Sequence, residues 1–195
     1  MEALLPALVA IVATSSLCSL LTTPLVARLA WRLDAVSRPD GNRRLHGQAT
    51  PLWGGLAVCL SMTLGVAAAW ILFPVPFDRL LLPLGLSMAL LCSLGLWDDR
   101  RPLAARWKLP GQIAATLPIV LFGYYPEQVM LFGTPIELGW FGAVCTVMWL
   151  LLGINALNLI DGMDGLASVI GVVIAVAIAV IASLRSNPQG LLLSV

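Results

Sequence analysis

Residues 155–166 read NALNLIDGMDGL, a stretch in which two amides and two carboxylates stand between two long apolar runs. Charged side chains at membrane depth are costly, and they are usually retained there for function. Asn155, Asn158 and Asp161 recur at every third residue, so on a helix they roughly share one face. The stretch therefore predicts a polar site at the junction of two apolar helices.

The composition is that of an integral membrane protein. Of the 195 residues, 59% are hydrophobic and only 11% are charged, and the mean hydropathy is +0.95. Soluble domains usually carry about 25% charged residues. The first apolar run, Ala3 to Leu29, lacks the basic start and the small-residue cleavage site of a signal peptide, so we expect it to remain as a span.

We predict an all-α fold, a polytopic transmembrane helical bundle of six complete spans and the start of a seventh. A single integral membrane domain would cover residues 1–195. Leu191 to Val195 read as the beginning of the seventh span, so we expect the chain to be truncated at its C-terminus. Pro118 predicts a kink or tilt in the short fourth span. The predicted spans are 3–29, 52–73, 80–97, 109–124, 140–160 and 166–184.

Positive charges are concentrated in alternate loops. The positive-inside rule makes these loops cytoplasmic and the N-terminus external. The same alternation brings the loop at 161–165 to the cytoplasmic face, together with the Asp98-Asp99 pair and the basic loop after the first span. Loops 30–51 and 98–108 hold eight of the 11 Lys and Arg residues: Arg32, Arg38, Arg43, Arg44, Arg100, Arg101, Arg106 and Lys108.

Four carboxylates at one interface would repel each other strongly. At an effective dielectric constant of ~20, two of them about 6 Å apart repel by roughly 3 kcal/mol. A hard divalent cation relieves this repulsion, and magnesium suits sites that combine few carboxylates with substrate phosphates. The neighbouring basic loops favour an anionic, phosphate-bearing ligand. Acidic residues for a metal and basic residues for phosphates together indicate phosphoryl transfer.

Each acidic or amide motif also has a purely structural interpretation. Asp98-Asp99, followed by two arginines, is compatible with a solvated turn that holds local ion pairs. Asp161 to Gly165 is compatible with a tight turn, since Asp and Gly favour turns. Asn155 and Asn158 are compatible with hydrogen bonding between membrane helices. These alternatives stay open at the level of the sequence.

The basic loop and the start of the second span are equally ambiguous. His46, the single histidine, follows two arginines, so it suits either phosphate contact or plain solvation. Pro51 to Gly55 contains two glycines, which would permit the close approach of a ligand. An ordinary helix start with Trp53 as an interfacial anchor explains the same residues.

The chain resembles the polyprenyl-phosphate N-acetylhexosamine-1-phosphate transferases (glycosyltransferase family 4). It is most similar to the branch that makes undecaprenyl-pyrophosphoryl-N-acetylglucosamine for O-antigen, enterobacterial common antigen or teichoic acid linkage. The matching blocks follow the family's order, and together they extend from the first predicted span to the sixth. They are Arg38 to His46 with Pro51 and Gly54-Gly55, Gly95 to Arg100 followed by Lys108-Leu109 and Gly111-Gln112, and Asn155 to Ala167.

The resemblance implies a magnesium-dependent reaction, with manganese as an alternative ion. A membrane polyprenyl phosphate attacks the β-phosphate of a UDP-N-acetylhexosamine, which gives a polyprenyl-diphospho-sugar and UMP. By position, Asp98, Asp99 and Asp161 match catalytic carboxylates, and Asn158 with Asp161 matches a metal site. The implied substrate-binding residues are Asp164, Asn155, Arg43, Arg44 and His46.

The implied setting is the inner (plasma) membrane of a bacterial cell. The implied partners are UDP-N-acetylhexosamine, undecaprenyl phosphate and the lipid bilayer, with a homodimer as an open alternative and no nucleic acid. Ser37 and Leu52 depart from the family pattern, which often has Asp and Arg at these positions. Leu52 in place of Arg weakens phosphate contact there. Family members also continue beyond the sixth span.

Two rival functions stand beside the leading one. Within the same enzyme class, the chain could transfer phospho-MurNAc-pentapeptide, although the stretch from His46 to Gly55 fits the N-acetylglucosamine branch better. An inactive fragment, a scaffold or a transporter half is the non-enzymatic alternative. Transporters place ionisable groups near the bilayer midplane and often contain repeats. Carboxylates at one interface and the lack of a repeat argue against transport.

Overall fold

Helices dominate the computed structural model, which describes residues 4–37, 49–72, 79–161 and 166–184. Each of the six predicted helices is present in these ranges, with bounds that differ by a few residues. The elements run in the order α1 (Leu4–Arg32), β1 (Val36–Ser37), β2 (Thr50–Pro51), α2 (Gly54–Leu72), α3 (Leu81–Arg100), α4 (Ala105–Leu121), β3 (Gln128–Leu131), β4 (Thr134–Glu137), α5 (Trp140–Ile160) and α6 (Leu166–Leu184).

Four of the described helices are long and apolar enough to cross a membrane, and the chain is therefore a membrane-integral protein. The predicted count of six spans is not confirmed. With 17 residues, α4 is about 26 Å long, less than the ~30 Å of a hydrocarbon core. The start of a seventh span, predicted at Leu191 to Val195, lies outside the described residues.

The chain forms two compact units. The first comprises Met1–Pro76 and Cys92–Ala105, and the second comprises Phe77–Leu91 and Arg106–Ser194. The boundary therefore falls within α3, which contributes to both units. The single integral membrane domain expected for residues 1–195 stays a prediction.

In the first unit, α1 and α2 pack closely through small residues. A side chain at Gly65 would overlap Ser15 and would come within 3.1 Å of the Ile11 carbonyl oxygen. The Thr22 and Ser61 hydroxyls are 3.2 Å apart, and Ser61 Oγ also donates to the Ala57 carbonyl at 2.6 Å. Small residues let membrane helices approach each other, which strengthens their dispersion contacts and hydrogen bonds.

A small apolar cluster closes one end of this helix pair. Trp53 is buried there with Val26, Ala30, Ala35 and Ala57. The Leu52 backbone N–H donates to the Ala35 carbonyl at 3.1 Å. The short antiparallel ladder of β1 and β2 adjoins the cluster and pairs Val36 with Pro51 and Ser37 with Thr50. The ladder thus places the two flanks of segment 38–48 side by side.

In the second unit, an antiparallel hairpin of β3 and β4 lies between α4 and α5. The register pairs Gln128 with Glu137 at the base and Leu131 with Thr134 at the turn. Phe132 and Gly133 form the turn with φ values of 49° and 84°. The all-α prediction missed this hairpin, because Phe-Gly is not one of the turn pairs, such as Asn-Gly, that usually indicate a hairpin.

Candidate functional site

The first predicted carboxylate pair lies in the last turn of α3. Asp98 and Asp99 precede Arg100, the final residue of the helix, and both are half-buried. Asp98 Oδ1 accepts a hydrogen bond from the Leu103 backbone N–H at 2.8 Å, which stabilises the turn after the helix. The negative end of a helix dipole disfavours carboxylates. A nearby cation would therefore stabilise the pair.

Arg100 is held against an aromatic ring from another element of the same unit. Its guanidinium carbon lies 5.7 Å from the Trp53 ring centroid. Trp53 itself is only 6% exposed, so it is a core residue and not the interfacial anchor that the sequence also allowed. This cation–π contact links the end of α3 to the start of α2.

The glycines after Trp53 have no packing role among the described residues. A Cβ atom added at Gly54 or at Gly55 would meet no atom within 4 Å. No other part of the described chain therefore makes the close approach that the sequence suggested here. Space for a ligand remains one explanation of the two glycines.

The second polar group lies at the end of α5. Asn155 and Asn158 occupy its last two turns, and Asp161 caps it with helical φ and ψ values of −63° and −11°. The Asp161 N–H donates to the Leu157 carbonyl at 2.9 Å. The helical register therefore continues through all three residues, as predicted, and all three are exposed.

Asn155 is engaged in a reciprocal amide pair with Gln112 of α4. Asn155 Nδ2 donates to Gln112 Oε1 at 3.0 Å, and Gln112 Nε2 donates to Asn155 Oδ1 at 3.3 Å. Asn155 Nδ2 also donates to the Leu151 carbonyl at 2.8 Å. These bonds use both donors of the Asn155 amide and leave one acceptor lone pair for a ligand. The hydrogen bond between helices that the sequence allowed is thus present for Asn155.

Gln112 is a residue that the site prediction missed. Its side chain is only 3% exposed. A buried amide in an apolar helix needs a hydrogen-bonding partner, since an unpaired polar group in such surroundings is costly. That rule, applied to the lone Gln of an apolar helix, was the signal that could have identified it.

The donor atoms at the end of α5 suit a hard cation. Asn158 offers an amide oxygen and Asp161 offers a carboxylate, three residues apart on one helical face. In the part of the chain that the structure describes, no group of three or more His, Cys, Asp and Glu side chains could hold a metal. Two oxygen donors nevertheless fit magnesium, which usually retains waters and binds substrate phosphates alongside one or two carboxylates.

The structure brings three of the predicted site residues together, namely Asn155, Asn158 and Asp161 in the second unit. Asp98 and Asp99 belong to the first unit. The remaining predicted residues, Arg43, Arg44, His46 and Asp164, lie outside the described residues.

Comparison with known proteins identifies the family. The sequence model described as glycosyl transferase family 4 matches residues 81–195, more than half of the chain. The chain belongs to this family. The match includes the carboxylate pair at the end of α3 and the polar group at the end of α5. No solved structure matches the chain significantly.

Several curated proteins are similar to the chain. A probable undecaprenyl-phosphate N-acetylglucosaminyl 1-phosphate transferase of Bacillus subtilis is 34% identical, over 86% of this chain and 46% of that protein. A decaprenyl-phosphate N-acetylglucosaminephosphotransferase of Mycobacterium leprae is 35% identical, over 86% of this chain and 44% of that protein. A phospho-N-acetylmuramoyl-pentapeptide-transferase of Moorella thermoacetica is 32% identical, over 93% of this chain and 59% of that protein. The chain thus spans about half the length of these relatives.

Proposed function

We propose that the protein transfers N-acetylglucosamine-1-phosphate from UDP-N-acetylglucosamine to a membrane polyprenyl phosphate and releases UMP. The observation that carries this proposal is the pair of acidic helix ends within the matched region of a family 4 chain. The end of α3 carries Asp98 and Asp99, and the end of α5 carries Asn158 and Asp161. Two relatives named as transferases of N-acetylglucosamine phosphate to a polyprenyl phosphate support this choice of substrates.

In this proposal the carboxylates act on two phosphate groups. An oxygen of the polyprenyl phosphate attacks the β-phosphorus of the UDP-sugar, and the bond from that phosphorus to the UMP oxygen breaks. A phosphate monoester is already anionic near neutral pH, so little general-base help is needed. Asp98 or Asp99 accepts the last proton, and catalysis comes mainly from positioning and from neutralisation of charge.

Asn158 and Asp161 would hold a magnesium ion, with manganese as an alternative. Such an ion would supply neutralisation of the diphosphate charge. Asp164 would line the nucleotide pocket, and Arg43, Arg44 and His46 would contact phosphate oxygens. Asn155 would act chiefly through Gln112, by fixing the end of α5 against α4.

The proposed location is the bacterial inner membrane, with the N-terminus outside and the acidic helix ends at the cytoplasmic face. The positive charge near those ends supports this orientation, since Arg100 and Arg101 follow the carboxylates of α3 directly. The product would serve the assembly of a cell-envelope polysaccharide such as lipopolysaccharide or teichoic acid.

A second candidate is the transfer of phospho-MurNAc-pentapeptide to the same class of lipid. It is favoured by the similarity to the Moorella thermoacetica protein, which covers 93% of this chain. Both reactions use the same attack on a UDP-sugar diphosphate. They differ in the sugar and its peptide, so the donor distinguishes them.

The test uses the protein expressed from its full reading frame and purified with membranes. Undecaprenyl phosphate is supplied with either UDP-N-acetylglucosamine or UDP-MurNAc-pentapeptide, each labelled in the sugar. We expect a lipid-linked label and equimolar UMP with the first donor, loss of both on chelation of divalent ions, and recovery on addition of magnesium. Product from the second donor alone would establish the second candidate. A well-folded protein inactive with every UDP-N-acetylhexosamine would instead indicate a non-enzymatic scaffold.

A further inference from the structure

The hairpin of β3 and β4 exposes apolar side chains that the described residues of its own unit leave uncovered. All eight strand residues are exposed. Phe132 at the turn is 99% exposed, Met130 is 66% exposed and Leu131 is 48% exposed. An isolated two-stranded hairpin is marginally stable in water. Such a ribbon therefore needs an apolar environment outside the described chain.

The apolar character is graded along the ribbon. At the base, Gln128 pairs with Glu137, and both are polar. Toward the turn, Val129 pairs with Ile136 and Met130 with Pro135. Polarity is therefore confined to the base and to Thr134, and the turn end presents an apolar surface on both faces of the ribbon.

The turn holds a residue that its backbone conformation disfavours. Phe132 has a φ of 49°, in the left-handed region, and the following Gly133 has a φ of 84°. Bulky residues rarely adopt positive φ, and Asn, Asp or Gly usually occupy this position of a two-residue hairpin turn. The phenyl ring gains no packing within the unit, since it is almost fully exposed. A contact outside the described residues would explain its presence at this position.

The position of the hairpin identifies that contact. The Leu138 N–H donates to the Glu127 carbonyl at 2.7 Å, so the base of the ribbon is bound to the residues that lead into α5. α5 is one of the candidate membrane spans, and its first residue is Trp140. Trp140 is 78% exposed, as expected for an aromatic belt at the membrane surface. The hairpin therefore begins at the bilayer interface.

We propose that the β3–β4 hairpin is a membrane-interface anchor whose turn, led by Phe132, inserts among the lipid headgroups beside α5. The length of the strand fits this role. Gln128 to Leu131 extends about 10 Å, which is enough to cross the roughly 5–8 Å of interfacial region on each side of a bilayer. The proposal concerns the membrane alone, and it stands or falls independently of the transferase reaction.

The test measures depth with spin labels on the full chain in vesicles of phosphatidylethanolamine and phosphatidylglycerol. Alanine replaces the native Cys18, Cys59, Cys92 and Cys145, and single labels are attached after Met130→Cys or Gln128→Cys. These two positions lie on the same face of the same strand, one near the turn and one at the base. We expect the label at 130 to collide more with oxygen and less with a water-soluble nickel chelate than the label at 128.

Substitution of Phe132 then separates anchoring from turn formation. Phe132→Asn gives the turn a residue that it prefers but removes the ring. We expect the inserted fraction of hairpins, reported by the label at position 130, to fall roughly tenfold or more. Phe132→Trp should retain insertion. Spin–spin broadening in the double variant Gln128→Cys/Glu137→Cys verifies that the strands remain paired. Equal chelate accessibility at 130 and 128 with Phe132 present, or no change on Phe132→Asn in a paired hairpin, would overturn the proposal.

Discussion

The ends of α3 and α5 both carry carboxylates, but they are built differently. At the end of α3, Asp98 is half-buried and is bonded to the turn that follows, and Arg100 rests on the buried Trp53 ring. At the end of α5, Asp161 is exposed, while the Gln112–Asn155 pair lies further back along the helix. The end of α3 thus combines a structural with a chemical role, whereas the tip of α5 is open to a ligand.

The largest effect is expected at the open helix end. Asp161→Asn keeps the shape of the side chain but removes its charge, so turnover should fall roughly a hundredfold or more, as it does when one electrostatic group of an active site is lost. Thermal unfolding should stay unchanged, because the side chain is exposed. Release of UMP by the full-length protein is the measurement.

Asp34→Asn is the matched control for this substitution. Asp34 is also an exposed aspartate, and its φ of 56° is a conformation that Asn tolerates well. Turnover of this variant should stay near that of the unmodified protein. Near-normal turnover of Asp161→Asn would contradict the open-site interpretation.

At the end of α3, two substitutions of one residue should give different results. Asp98→Asn retains an oxygen that can accept from the Leu103 N–H, so it should lower turnover by a similar factor with little loss of stability. Asp98→Ala removes that acceptor as well, and it should lower the free energy of unfolding by about 1 kcal/mol. Thermal unfolding in detergent and UMP release separate the two roles. Equal stability of both variants would show that the Leu103 hydrogen bond contributes nothing.

Replacing one partner of the Gln112–Asn155 amide pair near the end of α5 should cost more stability than replacing the other. Asn155→Leu leaves Gln112 buried without its partner, whereas Gln112→Leu leaves Asn155 with its hydrogen bond to the Leu151 carbonyl. The first variant should therefore lose about 1–3 kcal/mol of unfolding free energy, and the second should lose less. The double variant should be more stable than Asn155→Leu. A double-mutant cycle measured by thermal unfolding checks this, and additive losses would refute the pairing.

The smallest effect is expected at the cation–π contact. Arg100→Gln removes the charge above the Trp53 ring and should reduce stability by about 0.5–1 kcal/mol. Arg101→Gln is the matched control, because it makes the same change at the next residue, where no ring contact is described. The Arg100→Gln variant should unfold at a lower temperature than the Arg101→Gln variant. Identical unfolding temperatures would show that the contact is energetically neutral.

The helices were predictable because long apolar runs leave few alternatives, and the register of Asn155, Asn158 and Asp161 followed from their spacing alone. The spanning lengths were less predictable. Pro110 lies within α4, which begins earlier than expected and ends at Leu121. The burial of Trp53 was invisible in the sequence, since an interfacial tryptophan and a core tryptophan look alike. The partner of Asn155 depended on tertiary packing, although Gln112 was conspicuous as a polar residue in an apolar helix.

The tight packing of α1 on α2 bears on how the protein is made. The two helices are consecutive in the chain, and their contacts at Gly65, Ser61 and Ala57 join residues that are close in sequence compared with the length of the protein. Contacts between neighbouring elements form early, since little chain entropy is lost in closing them. We therefore expect this helix pair to assemble as soon as α2 leaves the insertion machinery, before the acidic end of α5 has been synthesised.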